Sequence, residues 1–405
     1  MPRSTILLAL FSPDDITSAT LDSLAQSLQD GLDAMSGEAP DVHCLYRRFS
    51  TPDPGSARQF RLFKGTPLVV NSGTSHPSDT IKNQLIQFFS STPVRRSLSH
   101  DSVVYLIIGA HGSPDATQTG VVLGNSDVDS RSAGLQSRSP EQPFNKSATF
   151  RRPFHPLNPV GVAFFANRTS LSKSITITEL NEAVQFLDRP PQTLVLHCCF
   201  LSSIEVIYEL RQIRHHIACE SQLKNILFVS NWFFDMATGA EPEKIKVFDH
   251  LGLDNTEGIF SSHRTSAKNV NDNCAPAYIN GLNQLGEELL KHLRDGRVNE
   301  IETALEDSRV DGEAIVDLWQ FCESLSGVCD ADVLKTMKRA IDEIQISHAL
   351  TSVDPAIVHY RGISVCICRD DAKHGPKQLP AAFSRAARDW IEFLVNWHNR
   401  STPTA

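Results

Sequence analysis

The sequence predicts an α/β protein: a mostly parallel sheet flanked by helices, continuing into a mainly helical C-terminal part. Three observations carry that expectation. Two aliphatic runs, Val103-Val104-Tyr105-Leu106-Ile107-Ile108-Gly109 and Thr193-Leu194-Val195-Leu196-His197, have the length and content of strands buried on both faces. Runs of that kind alternate with amphipathic helical patterns, as parallel pairing with crossover helices requires. From about residue 276 the apolar period turns almost wholly helical. A domain over 1–275 and a helical subdomain over 276–405, packed on it, are therefore expected.

Taken in order, residues 4–11 read as the first strand, around Ile6-Leu7-Leu8-Ala9-Leu10-Phe11. Residues 14–34 follow as an amphipathic helix with Leu21, Leu24 and Leu28 on one face, and Val42-His43-Cys44-Leu45-Tyr46 reads as a second strand. The stretch 49–78 is polar and rich in Pro, Gly and Ser. Ser78 or Asp79 then stands where a helix bearing Ile81, Leu85, Phe88 and Phe89 needs its cap. After the strand ending at Gly109, the segment 113–158 has no apolar period and reads as a flexible loop, either a solvated insertion or a processing site.

Strand character returns at Val160-Gly161-Val162-Ala163-Phe164-Phe165, and a helix near 177–187 leads into the second buried run. Ser202 or Ser203 can cap a helix whose apolar face is Ile204, Ile207, Leu210, Ile213 and Ile217. Ile226-Leu227-Phe228-Val229-Ser230 reads as a further strand. Beyond it, Leu282, Leu285, Leu289 and Leu293 share one helix face. So do Ile315, Leu318, Phe321 and Leu325, and likewise Leu334, Met337, Ile341 and Ile344. A strand at Gly362–Ile367 precedes a closing helix with Phe383, Ala386, Trp390, Phe393, Leu394 and Trp397, whose helical spacing marks them as core.

Composition bounds the function. Of 405 residues, 40% are hydrophobic and 21% charged, enough for a substantial core. A net charge of −9, with no Lys/Arg stripe, argues against nucleic acid. No stretch approaches the roughly 18 apolar residues of a membrane helix, so no membrane insertion is expected. The N-terminal apolar run is short for a signal peptide and is followed by Asp14-Asp15, which points to a cytoplasmic protein. Nine cysteines without a framework spacing read as reduced thiols. Cys366-Ile367-Cys368 lacks the gap of a zinc knuckle, Asp127 and Asp129 lack the rest of a calcium loop, and no nucleotide or zincin motif occurs. No metal and no cofactor are expected. The oligomeric state is not legible.

Chemistry enters at the ends of the two buried runs. The first continues into Ala110-His111-Gly112 and the second into Cys198-Cys199. In an open parallel sheet the carboxyl ends of the strands form the ligand-binding rim, so a His and a Cys leaving two such strands can meet there. That pairing supplies a thiolate nucleophile and its base. A helix beginning just after the cysteine would lower its thiol pKa and favour an oxyanion. Strand alternation sends Cys198 and Cys199 to opposite faces, which leaves the choice between them open.

A buried strand ending in His-Gly, and a later one ending in Cys, resemble the caspase-like cysteine peptidases. The block Cys199-Phe200-Leu201-Ser202-Ser203-Ile204-Glu205-Val206-Ile207-Tyr208-Glu209-Leu210-Arg211 is similar to the nucleophile block of the clostripain family. Glu205-Val206, Tyr208 and Glu209-Leu210-Arg211 fall in register with it. Thr5–Leu10, residues 78–89, Val316-Asp317-Leu318-Trp319-Gln320-Phe321 and Gly362-Ile363-Ser364 resemble further family segments, in the same order.

The resemblance implies a caspase-like fold and a cysteine endopeptidase acting on a protein or peptide substrate. His111 and Cys199 would form the dyad, and the backbone N–H groups of Gly112 and Cys199 the oxyanion hole. Cys198 would be the small buried residue before the nucleophile. His197, Asn231 and Asp235 would bind substrate. Cys199 would attack the scissile carbonyl and His111 would protonate the departing amine. Where the family carries an Asp that selects Arg or Lys, this chain has His197, which cannot make the charge-assisted bond that holds a guanidinium. Asp235 is the acid placed to take over; otherwise the pocket prefers neutral or acidic side chains. The resemblance also implies a two-chain mature form, and 113–158 offers Arg131, Arg138, Lys146, Arg151 and Arg152 for the cut. By analogy of fold, the role is activation of a defence or cell-death effector. The competing reading, favoured by His197, is a catalytically inactive caspase-like interaction module.

Overall fold

A nine-stranded mixed sheet organises the computed structural model. The structure describes residues 4–12, 18–35, 39–48, 57–62, 64–65, 69–72, 80–98, 102–110, 121–122, 174–198, 200–220, 259–265, 275–310, 315–350, 360–367 and 380–399. The chain opens with β1 (Ser4–Ser12), α1 (Ser18–Ala34), β2 (Asp41–Arg48), β3 (Ala57–Leu62) and β4 (Val69–Ser72). It continues through α2 (Ile81–Phe89), α3 (Thr92–Ser97), β5 (Val103–Gly109) and the short β6 (Val121–Val122) and β7 (Ser174–Ile175), which pair with each other. Helix α4 (Ile177–Val184) then leads into β8 (Thr193–His197), α5 (Ile204–Glu209), β9 (His215–Cys219) and β10 (Ile259–Arg264).

Counted from the edge strand β4, the order across the large sheet runs β4-β3-β2-β1-β5-β8-β9-β10, and a ninth strand from the C-terminal part follows β10. Strands β2, β1, β5, β8 and β9 run parallel; β3, β4 and β10 run antiparallel to their neighbours. The two aliphatic runs are thus adjacent inner strands. Alternation sorts their side chains: Leu106, Ile108, Leu194, Leu196 and Cys198 share one core with α2, α4 and part of α5. Local chemistry sets the helix starts. Thr80, rather than Ser78 or Asp79, caps α2 by accepting from the Asn83 N–H. Thr176 and Glu179 form a capping box at α4.

The remaining elements are α6 (Ala277–Arg294), α7 (Val298–Asp307), β11 (Ile315–Asp317), α8 (Leu318–Ser324), α9 (Ala331–Ile344), β12 (Gln345–Leu350), β13 (Ser364–Cys366), α10 (Ala381–Ala386) and α11 (Arg388–Asn399). Phe321, Phe383, Trp390, Phe393 and Trp397 are buried in one cluster with the apolar faces of α6, α8 and α9. Strand β12 pairs with β10 and completes the large sheet, so the stretch beyond 276 contributes to that sheet as well as to its own core. β11 and β13 form a small antiparallel pair of their own.

Several elements differ from the sequence reading. The expected helix through Ile217 ends at Glu209, and Ile217 lies in β9. The ring nitrogen Nε2 of His216 sits 3.1 Å from the Leu210 carbonyl oxygen and 2.9 Å from that of Ile213, taking up acceptors freed where the helix stops. Ile315 belongs to β11, ahead of the helix it was grouped with, because the Asp317 carboxylate caps α8 at Gln320. The closing helix is two, broken at Ala387. The polar stretch 49–78 holds β3 and β4.

Candidate active site

Parallel pairing brings the ends of β5 and β8 together. Gly109 lies opposite His197, and the Ala110 N–H donates to the His197 carbonyl across 3.3 Å. The sequence candidates His111, Gly112, Cys199, Asn231 and Asp235 lie outside the described residues, as do the runs 160–165 and 226–230 and all of 113–158 except Val121 and Val122. The described residues fix their flanks.

On the cysteine side the flank is a tight interior turn. Cys198 is fully buried, with its Sγ 3.6 Å from the Ile108 carbonyl it donates to. His197 is 1% exposed, on the strand face opposite Cys198 by alternation. Phe200 has φ of 60°, the left-handed region, although it carries a side chain. That conformation costs a bulky residue about 1–2 kcal/mol and is held only where surroundings enforce it. It turns the chain off β8 toward α5, whose cap Ser203 accepts from the Val206 N–H. Helix α5 has six residues, fewer than its apolar spacing promised.

Residues 200–206 are all buried, and their polar groups find partners far along the chain. The Ser202 N–H donates to Cys219 (2.9 Å), its carbonyl accepts from the Ser364 N–H (2.9 Å) and from Ser364 Oγ (3.1 Å), and its hydroxyl donates to the Gly362 carbonyl. The Glu205 carboxylate accepts from the Cys366 N–H at 2.7 Å. Across the seam, Asp317 Oδ2 accepts from the N–H groups of Arg361 (2.7 Å) and Gly362 (3.1 Å), and its carboxyl hydrogen-bonds to buried Glu220. Burial pushes Glu205 up to about 7, against bonds from Cys366, its own N–H and Ser203. Burial likewise pushes Asp317 up to about 6, against three backbone N–H donors and the hydrogen bond with Glu220. The sequence showed Glu205 and Asp317 only as letters in family-like blocks; no local signal says that they face one seam.

Solved structures share this course of chain. A secreted C11 cysteine protease of Bacteroides thetaiotaomicron, iotapain, superposes with a TM-score of 0.58 at 12% identity, covering 97% of this chain and 99% of its own. An inactive zymogen C11 protease of Parabacteroides distasonis gives a TM-score of 0.56 at 10% identity, over 98% of each chain. The Bacteroides protease in complex with an irreversible peptide inhibitor gives 0.55 at 13% identity, covering 95% of this chain and 99% of its own.

The fold is that of the C11, clostripain-family, cysteine proteases.

No protein-family model matches the chain, and no curated protein sequence does. The C11 fold is therefore kept here by packing pattern at very low identity. Among the described residues no group of three or more His, Cys, Asp or Glu is arranged to hold a metal ion. No described helix is long and apolar enough to cross a membrane.

Proposed function

We propose that the protein is a cysteine endopeptidase that hydrolyses peptide bonds in a protein substrate, with Cys199 as nucleophile and His111 as its base and acid. The observation that carries this reading is the pairing of β5 with β8. Gly109 and His197 are cross-strand partners at the ends of neighbouring parallel strands, and in the sequence His111 and Cys199 each follow two positions after these ends. The C11 fold supports it, including a neighbour whose structure holds an irreversible peptide inhibitor. Burial of Cys198 supports Cys199 over its neighbour, because a core thiol cannot reach a substrate carbonyl.

In this reading His111 withdraws the Cys199 proton, the thiolate attacks the scissile carbonyl, and backbone N–H groups of Gly112 and Cys199 hold the developing oxyanion. Such donors commonly contribute roughly 3–4 kcal/mol. His111 then protonates the leaving amine, and water releases the acyl group. Asn231 and Asp235 line the substrate pocket, and His197, 1% exposed on the face opposite Cys198, forms its closed base. The catalytic domain spans 1–275 and the C-terminal subdomain spans 276–405, sharing the large sheet through β12. Six buried, free cysteines among the described residues fit a reducing cytoplasm. Activation of a defence or cell-death effector is the role we assign by analogy of fold.

His197, standing where the family has its basic-selecting Asp, favours one second reading, a catalytically inactive interaction module. Alkylation of the intact protein with iodoacetamide at neutral pH, read by peptide mass spectrometry, separates the two. The enzyme reading expects one fast-reacting thiol, Cys199, whose reactivity falls in His111→Ala, and casein cleavage lost in Cys199→Ala. Uniformly slow thiols and no cleavage would support the module.

A further inference from the structure

The turn that follows Cys199 does not hold itself together. Phe200 adopts a left-handed conformation, and residues 200–206 are buried in unbroken succession, so water cannot satisfy their polar groups. The partners come from other elements. All three polar groups of Ser202 are engaged, its N–H by Cys219 and its carbonyl and hydroxyl by Ser364 and Gly362. Ser203 and Ser364 form a parallel bridge, and Glu205 accepts from Cys366. The 361–366 segment is itself held from behind, since Asp317 caps α8 and binds the N–H groups of Arg361 and Gly362. The Leu318 N–H adds a 2.9 Å bond to the Ile363 carbonyl.

We infer that Ser202, Glu205 and Asp317 are positioning residues for Cys199, locking the turn that carries it onto the 361–366 segment so that the C-terminal part of the chain sets the geometry of the thiol. This inference rests on the reading of Cys199 as nucleophile. Three observations carry it beyond ordinary packing. The locking contacts are directional hydrogen bonds, which fix orientation more narrowly than apolar contact does. Two of the three residues are buried carboxyl groups, where apolar side chains of similar volume would serve stability as well or better. And Ser202 lies only three residues from Cys199, a reach of roughly 10 Å at full extension, less through the Phe200 turn. A shift of about 1 Å in a reacting group is enough to lower a rate about 100-fold.

The test uses the full-length chain and two readouts: the second-order rate of iodoacetamide alkylation at Cys199, followed by mass spectrometry, and turnover of fluorescent casein. Ser202→Ala removes the hydroxyl bond to Gly362 and leaves the backbone bonds. Glu205→Ala removes the acceptor for the Cys366 N–H, whereas Glu205→Gln keeps an acceptor oxygen there. We expect kcat and the Cys199 alkylation rate to fall about 10-fold in Ser202→Ala and more in Glu205→Ala, with KM within about 2-fold. Glu205→Gln restores both rates to within about 3-fold of wild type. Ser202→Ala, the milder change, keeps the inference testable if Glu205→Ala does not fold. Folded Ser202→Ala and Glu205→Ala chains that react at wild-type rates overturn the inference, as does a Glu205→Gln chain no better than Glu205→Ala. Full activity in Cys199→Ala overturns the nucleophile reading and this inference with it. An inactive Cys199→Ala beside unimpaired Ser202→Ala and Glu205→Ala overturns this inference alone.

Discussion

Gly286, in the middle of α6, is the point where that helix meets the start of α11. A methyl group added there would lie 2.5 Å from the Trp390 nitrogen, 2.6 Å from the Asp389 carbonyl carbon and 2.7 Å from its oxygen, all backbone atoms. Ordinary contact begins near 3.4 Å, so Gly286→Ala requires α11 to retreat by about 0.9 Å. That movement pulls on two bonds from Asn283, whose Nδ2 donates to the Ala386 carbonyl at 2.9 Å and whose Oδ1 accepts from the Asp389 N–H at 3.2 Å. It also opens the packing of Trp390 on Phe321 of α8. Overpacking of this kind costs roughly 1–3 kcal/mol, and rigid backbone neighbours place it at the upper end. The helical preference of Ala over Gly returns about 1 kcal/mol. The net expectation is a loss of about 1–2 kcal/mol. Gly281 in the same helix is the control, because its added methyl would meet the flexible Met337 sulfur at 3.1 Å and the Met337 Cα at 3.3 Å, so the neighbouring helix need give by only about 0.1 Å. Gly281→Ala should stay within about 0.5 kcal/mol of wild type. Urea unfolding followed by tryptophan fluorescence measures both, given equal m-values. A Gly286→Ala protein as stable as wild type, or more so, would refute the close-approach argument.

Acid should unfold the protein well above the usual carboxylate range. Burial pushes His216 down to about 4 and His263 down to about 3 from an ordinary 6.5, so unfolded chains take up these protons first as pH falls. Their stability contribution is present above pH 6.5 and is lost as pH drops toward 4, by about 3 kcal/mol for His216 at about 1.4 kcal/mol per pH unit. Urea midpoints at pH 7 and pH 5 read it in Glu205→Gln, where the opposing titration of Glu205 is removed; equal midpoints at fixed m in that variant count against it. Glu205 works in the opposite sense. Its raised pKa gives stability that is full below 4.5 and lost as pH rises through about 7, so Glu205→Gln should remove that loss between about pH 4.5 and 7, and an unchanged slope there would mean that the carboxyl is ionised throughout. Cys198→Ala should keep peptidase activity while lowering stability by about 1 kcal/mol through loss of a buried thiol; loss of activity in a folded chain would move the nucleophile to Cys198. His197→Asp should raise cleavage after Arg or Lys over neutral residues in a peptide library, and an identical profile in an active mutant would remove His197 from the pocket.

Four of the five parallel inner strands were legible in the residues; β9 was read as helix. Strands β1, β2, β5 and β8 are legible because each is a short aliphatic run, and a strand buried on both faces admits little else. The helix starts were legible to within a residue or two, since a Thr or Ser side chain and the N–H three positions on are local partners. The same local reasoning put Ile217 on a helix that ends eight residues earlier, because an isoleucine at helical spacing fits a strand equally well. The outer strands β3, β4, β10 and β12 escaped because their sequences are short or polar, and it is backbone pairing with their neighbours that sets them. His111 and Cys199 were singled out by where each follows its buried run; that the two runs are adjacent is a matter of strand order, which only the tertiary structure decides. The seam around Ser202 is the extreme case. Its partners at Gly362 and Ser364 stand some 160 positions away in the chain, and no local propensity encodes a hydrogen bond between residues that meet only after both cores have formed.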